Sequence, residues 1–99
     1  MSDARILKSR AVVPEHVVYR TFGNEAVVVN LQSGKYHGLN PTAARMLDAL
    51  SRTPTVELAA HDVASALGVE EQRVRCDMSH LCKALEERGL LEINDGADA

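Results

Sequence analysis

Aromatic residues are scarce in this chain of 99 residues, which has no tryptophan, two tyrosines and one phenylalanine. A platform that stacks the bases of single-stranded nucleic acid needs several aromatic faces, so this composition argues against one. A surplus of positive charge is also missing, because 11 lysines and arginines face 14 aspartates and glutamates, for a net charge of −3. Nucleic-acid binding normally requires a basic surface. We therefore expect no nucleic-acid partner.

Long apolar runs are absent as well. No stretch approaches the roughly 18 residues that a membrane-spanning helix needs. The first residues, Met1 to Arg5, lack the apolar segment of a signal peptide. We expect no membrane partner and a cytoplasmic location.

The chain has only two cysteines, Cys76 and Cys82, six residues apart in a predicted helix. Their Cα atoms would lie about 9 Å apart, whereas a disulfide requires less than about 7 Å. The spacing is not that of a zinc site, even with His80 between them. We expect two reduced structural thiols and no metal or other cofactor.

A catalytic constellation is not evident either. The four histidines, His16, His37, His61 and His80, are scattered without a partner at a recognisable spacing, and neither cysteine lies in a known catalytic signature. A single domain of this length is too small for a deep cleft between lobes. We expect that the protein is not an enzyme.

What is present is a clear order of elements. Residues 17–22, 26–31 and 35–39 have the composition of strands, separated by turns at Gly23-Asn24 and Gln32-Ser33-Gly34. The three consecutive valines of the second strand indicate burial on both faces. Helices are predicted at 41–51, 55–67 and 70–88, and a short returning strand or extended segment at 90–93. The expected fold is a single α+β domain of winged-helix-turn-helix-like plan, a three-stranded antiparallel sheet followed by three helices.

The helix boundaries rest on specific signals. Asn40 is a good N-cap before Pro41, Thr55 caps the second helix, and Gly68 and Gly89 end the second and third. Residues 1–11 and 94–99 show no such signals, and we expect both to be flexible.

The third helix carries an apolar stripe at helical spacing, formed by Val74, Met78, Leu81 and Leu85. On a helical wheel one shoulder of the stripe holds Arg75 and Cys82, and the other holds Asp77, Ala84 and Arg88. One shoulder should face the groove beside this helix, and the sequence does not decide which.

Strand 35–39 ends a small meander, so one of its backbone edges is expected to lack a partner within the chain. An unpaired edge is a row of unsatisfied donors and acceptors that can capture an extended peptide. We interpret this edge as a peptide-capturing one.

The chain resembles the PqqD-like RiPP recognition elements, small domains that bind the leader segment of ribosomally made peptide precursors. The strand–turn–strand–helix part of the likeness is Asn30-Leu31, Ser33-Gly34, Tyr36, Leu39-Asn40 and Ala43 or Ala44. The helical part is Val56-Glu57-Leu58-Ala59, Val74, Asp77-Met78, Leu81, Leu85 and Gly89-Leu90-Leu91. The likeness spans residues 12–93. The chain departs from the family at two places. Met46 stands where the family often has a large aromatic, and Leu81-Cys82 stands where an aromatic followed by a leucine is common.

The resemblance implies that a leader peptide adds as a strand to residues 35–39 and lies along helix 70–88. It also implies delivery of the peptide to a separate RiPP-modifying enzyme or leader peptidase, as in lasso-peptide and PqqD-type pathways. The candidate peptide-binding residues are Lys35, Tyr36, His37, Gly38, Leu39, Arg75, Asp77, Met78, Leu81 and Cys82.

Three of these candidates carry further expectations. Tyr36 and His37 point to opposite faces of their strand, and Tyr36 is expected to pack inward. Asp77 either pairs with a donor on the leader or only holds a nearby arginine. A proline at Tyr36 or His37, whichever N–H faces the open edge, should abolish peptide binding.

The main alternative function is a winged-helix DNA-binding regulator that reads DNA with helix 70–88. That helix is a poor reader of phosphates, since it has one more acidic than basic side chain. A general interaction module is a third possibility, which only a binding partner would reveal.

Overall fold

The structure, a computed structural model, describes residues 6–23 and 25–94. The elements run, in chain order, β1 (Arg10–Val12), β2 (Val17–Phe22), β3 (Glu25–Asn30), β4 (Tyr36–Leu39), α1 (Pro41–Arg52), α2 (Val56–Leu67), α3 (Glu71–Glu87) and β5 (Glu92–Asn94). The predicted α+β class is confirmed, with an antiparallel sheet in the order β2–β3–β4 followed by three helices. Within these ranges no helix is long and apolar enough to cross a membrane.

The sheet buries one of its faces more deeply than the other. Val28 has no exposed surface and pairs with Tyr19 on β2 and His37 on β4. Val27 and Val29, on the opposite face, are only partly buried. The three consecutive valines led us to expect that this strand is buried on both faces, and that expectation is wrong. Helices cover one face of this sheet, and the other face keeps access to solvent.

The helix ends form as the sequence predicts. The Asn40 side chain accepts a hydrogen bond from the Ala43 N–H at 2.8 Å, and Thr55 accepts one from the Leu58 N–H at 3.2 Å. Gly68 ends α2 with a φ of 66°, a left-handed conformation that glycine adopts without steric cost. Gly23 likewise turns β2 into β3 with a φ of 63°. Asn24, the other residue of this predicted turn, lies outside the described residues.

The core lies between the inner face of the sheet and the three helices. On α3 it takes in Val74, Met78 and Leu85, as the apolar stripe predicts, together with Cys82. Leu81 is only partly buried at its margin. The helices α1 and α2 contribute Met46, Leu47, Ala49, Leu50, Val56, Ala59, Ala60, Val63 and Ala64.

A second, two-stranded sheet joins the two ends of the described chain. Strand β1 pairs antiparallel with β5, with Ala11 opposite Ile93. The expectation of a flexible arm over residues 1–11 is therefore wrong for its second half, where Ile6, Ser9 and Ala11 are buried. A three-residue strand is too short to show a hydrophobic period, which explains why the sequence did not reveal it. Residues 1–5 and 95–99 of the two predicted flexible ends lie outside the described residues, whereas Asn94 belongs to β5.

Candidate functional site

Strand β4 is an edge strand whose outer side has no partner strand in residues 6–23 and 25–94. The Asn30 N–H donates to the Lys35 carbonyl at 2.8 Å, so the backbone of residue 35 faces β3. Because backbone groups alternate in direction along an antiparallel strand, His37 and Leu39 also face β3. It follows that Tyr36 and Gly38 each direct an N–H donor and a C=O acceptor to the open side. The strand itself begins at Tyr36, one residue later than the sequence predicted.

The side chains of β4 correct the expected direction of Tyr36. Tyr36 is 64% exposed, while His37 is partly buried opposite Val28. The physical reason is parity: Leu39 enters the core at 3% exposure, and His37 shares its face. Leu39 precedes the helix cap and was the available signal for this direction. The expectation that Tyr36 packs inward is wrong.

A buried asparagine connects the start of β4 to the end of α3. The Asn30 Oδ1 accepts hydrogen bonds from the N–H groups of Gln32 and Ser33, at 2.9 and 3.1 Å. Its Nδ2 donates to the Gly89 carbonyl at 2.9 Å. Gly89 has a φ of 70°, and a Cβ on it would lie 3.0 Å from that Nδ2. The turn before β4 and the residue after α3 are thereby held in one fixed arrangement.

Two cavities lie along α3, one beside β4 and the other beside the start of α1, which directly follows β4. The first, the turn-end cavity, has a volume of about 530 Å³. It is lined by Gly34, Lys35, Tyr36, His37, Gly38 and Arg88. The second, the helix-end cavity, has about 550 Å³ and is lined by Thr42, Met46, Leu67, Val69, Glu70, Arg73, Val74 and Asp77.

We use the name edge groove for the open side of β4 together with these two cavities, which lie along α3 from Arg73 to Arg88. Asp77 and Arg88 are eleven positions apart, which corresponds to about 16 Å along a helix axis. An extended peptide of about five residues covers the same distance. One added strand on β4 would therefore reach both cavities.

The structure also decides which shoulder of α3 faces this groove. Asp77 and Arg88 line its two cavities. Arg75, on the other shoulder, donates through one guanidinium nitrogen to Glu57 on α2 and to Glu71, at 3.0 Å each. These ion pairs turn Arg75 towards α2 and away from β4.

The remaining α3 candidates differ in their access to a peptide. Met78 and Cys82 have no exposed surface, and burial raises the pKa of the Cys82 thiol to about 12. Both side chains support the groove from within the core. Leu81 is partly buried.

The structure thus brings Lys35, Tyr36, His37 and Gly38 together around one cavity and places Asp77 at the other. Leu39 points into the core. Arg88 was assigned to the Asp77 shoulder but was not among the candidate residues, although it lines the turn-end cavity. Its helical position was the signal for including it. Met46 and Arg73 of the helix-end cavity were likewise not among them.

A separate polar cluster lies on the α2 side of α3. His61 Nδ1 lies 3.0 Å from a Glu71 carboxylate oxygen. The hydrogen bond to Glu71 raises the pKa of His61, and the bonds from His61 and Arg75 lower the pKa of Glu71. In the part of the chain that the structure describes, no group of three or more His, Cys, Asp or Glu side chains is placed to hold a metal ion.

Comparison with known proteins agrees with this geometry. Residues 25–91 match the family model described as coenzyme PQQ synthesis protein D (PqqD). No curated protein matches the chain.

Two solved structures are similar to the chain. One is described as TbiB1 in complex with the TbiA(beta) leader peptide, with a TM-score of 0.70 and 27% identity, covering 81% of this chain and 93% of that one. The other is described as lasso peptide synthetase B1 complexed with the leader peptide, with a TM-score of 0.67 and 26% identity, covering 84% of this chain and 98% of that one.

Proposed function

We propose that this chain, which belongs to the PqqD family, binds the leader segment of a ribosomally synthesised precursor peptide as an added strand on β4. The observation that carries the proposal is the open edge of β4 beside a groove of matching length. The two similar structures are leader-peptide complexes of a lasso peptide synthetase B1 and of TbiB1. Their likeness supports leader binding over DNA binding.

Backbone pairing would supply the part of the affinity that does not depend on leader sequence. Tyr36 and Gly38 offer donors and acceptors at the spacing that an extended peptide requires. The edge groove would supply the choice of partner, because alternate side chains of an added strand point into it. Asp77, in the helix-end cavity, is positioned to pair with a donor on the leader.

The protein's role in this proposal is delivery. The bound precursor would be presented to a separate RiPP-modifying enzyme or leader peptidase, and the chain itself would perform no chemistry. We propose the cytoplasm as the location, because that is where ribosomes release the precursor.

Fluorescence anisotropy tests the proposal with a labelled leader peptide from the precursor encoded beside this protein. A labelled DNA duplex at the same salt concentration is the control. We expect a peptide Kd in the low-micromolar range or below, equivalent to a binding free energy of about −8 kcal/mol or better, and no comparable DNA binding. Absence of peptide binding, or salt-dependent DNA binding alone, would contradict leader recognition.

Two variants at Tyr36 then isolate the backbone contribution. Tyr36→Pro removes an N–H that faces the open side and spares the ladder to β3, whereas Tyr36→Ala removes only the exposed ring. We expect the proline variant to bind the leader at least about tenfold more weakly than the alanine variant, since it loses a backbone hydrogen bond and hinders strand approach. Circular dichroism checks that both remain folded. Equal affinities of the two folded variants would rule out strand addition at this edge.

A further inference from the structure

We infer that the turn-end cavity of the edge groove selects leaders carrying an acidic side chain, and that Arg88 and Lys35 are the residues that recognise it. This inference rests on the proposed function and names the chemistry of its ligand. The cavity is lined by Lys35, His37 and Arg88, and no carboxylate is among its lining residues. An anionic side chain is the complementary ligand for such a cavity.

The basic groups of this cavity are not committed to other contacts. Within residues 6–23 and 25–94, neither Lys35 nor Arg88 takes part in an ion pair. A lysine or arginine that already pairs with an acidic side chain of the protein is not free to pair with one on a peptide. The charges of Lys35 and Arg88 are therefore available to a bound peptide.

The position of Arg88 is fixed by its surroundings. The residue that follows it, Gly89, is hydrogen-bonded to the buried Asn30, and the Arg88 N–H donates to the Leu85 carbonyl at 3.2 Å. Lys35 follows the turn that the same asparagine organises. Two basic side chains from separate segments thus converge on one cavity because one buried side chain holds both segments.

The opposite end of the groove has a different character. The helix-end cavity combines an apolar floor, which includes Met46 and Val74, with Glu70, Arg73 and Asp77. Its carboxylates outnumber its single basic residue. The groove is therefore polarised along β4, with positive charge where the strand begins and acidic groups where it ends.

The net charge of the whole chain makes this preference measurable. At −3 the protein as a whole attracts basic peptides and repels acidic ones. A preference for acidic peptides must therefore come from a local basic site.

Selection from a phage-displayed library of random 16-residue peptides tests the inference on the full chain. Peptides are selected in parallel on the wild-type protein, on Arg88→Glu, on Lys35→Glu and on the control Arg20→Glu. The control changes net charge as much as the other two, but Arg20 is an exposed residue of β2, at the far edge of the sheet. We expect Asp and Glu to be enriched by the wild-type protein and by Arg20→Glu, and lost from both groove variants.

Affinities of individual selected peptides complete the test. We expect Arg88→Glu to bind them about three- to tenfold more weakly than Arg20→Glu, with a difference that shrinks as salt is added. Selected peptides without acidic enrichment, or equal losses in Arg20→Glu, would overturn the inference and leave leader binding intact. Failure to select any peptide would instead count against the proposed function, and the inference would fall with it.

Discussion

At the scale of single residues, Asn30 determines the geometry of the site without lining it. Its side chain accepts from two N–H groups of the turn before β4 and donates to the Gly89 carbonyl. A buried asparagine is retained where its hydrogen bonds are all satisfied, because an unpaired polar group in the interior is costly. The groove width between β4 and α3 therefore depends on one amide group.

Asn30→Ala should consequently lower both stability and leader affinity. The substitution leaves the Gly89 carbonyl and two turn N–H groups without their partner, and we expect a loss of about 2 to 3 kcal/mol in the free energy of unfolding. Urea denaturation followed by circular dichroism measures it. Asn30→Asp is the comparison variant, since it keeps the acceptor for the turn but replaces the donor to Gly89 by a carboxylate oxygen that repels the carbonyl. A loss below about 0.5 kcal/mol in Asn30→Ala, the size of an ordinary surface substitution, would show that the connection is not needed.

At the scale of elements, α3 has two sides with different tasks. One side lines the edge groove beside β4, and the other is joined to α2 through the ion pair of Arg75 with Glu57. The nearby contact of His61 with Glu71 adds a second link between α2 and α3. These links hold the first half of α3 against α2, while the Asn30 bond to Gly89 connects the end of α3 to the turn before β4.

The His61–Glu71 contact should make this link dependent on pH. Because the pKa of His61 is raised, its contribution to folding is present below its ordinary value of 6.5 and is lost as pH rises through the folded-state pKa. Because the pKa of Glu71 is lowered, the contribution of Glu71 to folding stability is present above its ordinary pKa of 4.5. That contribution is lost as pH falls through the folded-state pKa. NMR titration should give His61 a pKa above 6.5 in the wild type and a lower one in Glu71→Gln. An unchanged His61 pKa in that variant would contradict the contact.

Sequence patterns predicted those elements that carry strong local signals. The helix boundaries were predicted to within a residue or two from the caps Asn40 and Thr55 and the apolar stripe of α3, because each of these signals is local. The pairing of β1 with β5 joins residues eighty or more positions apart, and no local pattern encodes it. The direction of Tyr36 and the groove-facing shoulder of α3 depend on how the sheet and helices pack together. Both therefore required the structure.

At the scale of the whole molecule, an open strand edge, a polarised groove and a buried asparagine together form the surface that we propose for leader binding. The helices cover only the inner face of the sheet, and β4 lies at its edge. The family membership and the two similar leader-peptide complexes agree with this arrangement. The central claim is that a leader peptide becomes the next strand beyond β4.

Amide hydrogen exchange by NMR, with and without saturating leader peptide from the precursor encoded beside this protein, tests that claim most directly. The Tyr36 and Gly38 N–H groups face the open side and should exchange quickly in the free protein. In the complex we expect both to be protected by about tenfold or more, because they become ladder hydrogen bonds. The His37 N–H, which faces β3, serves as the internal control and should change far less. A leader that binds while the Tyr36 and Gly38 amides exchange as in the free protein would contradict strand addition at β4.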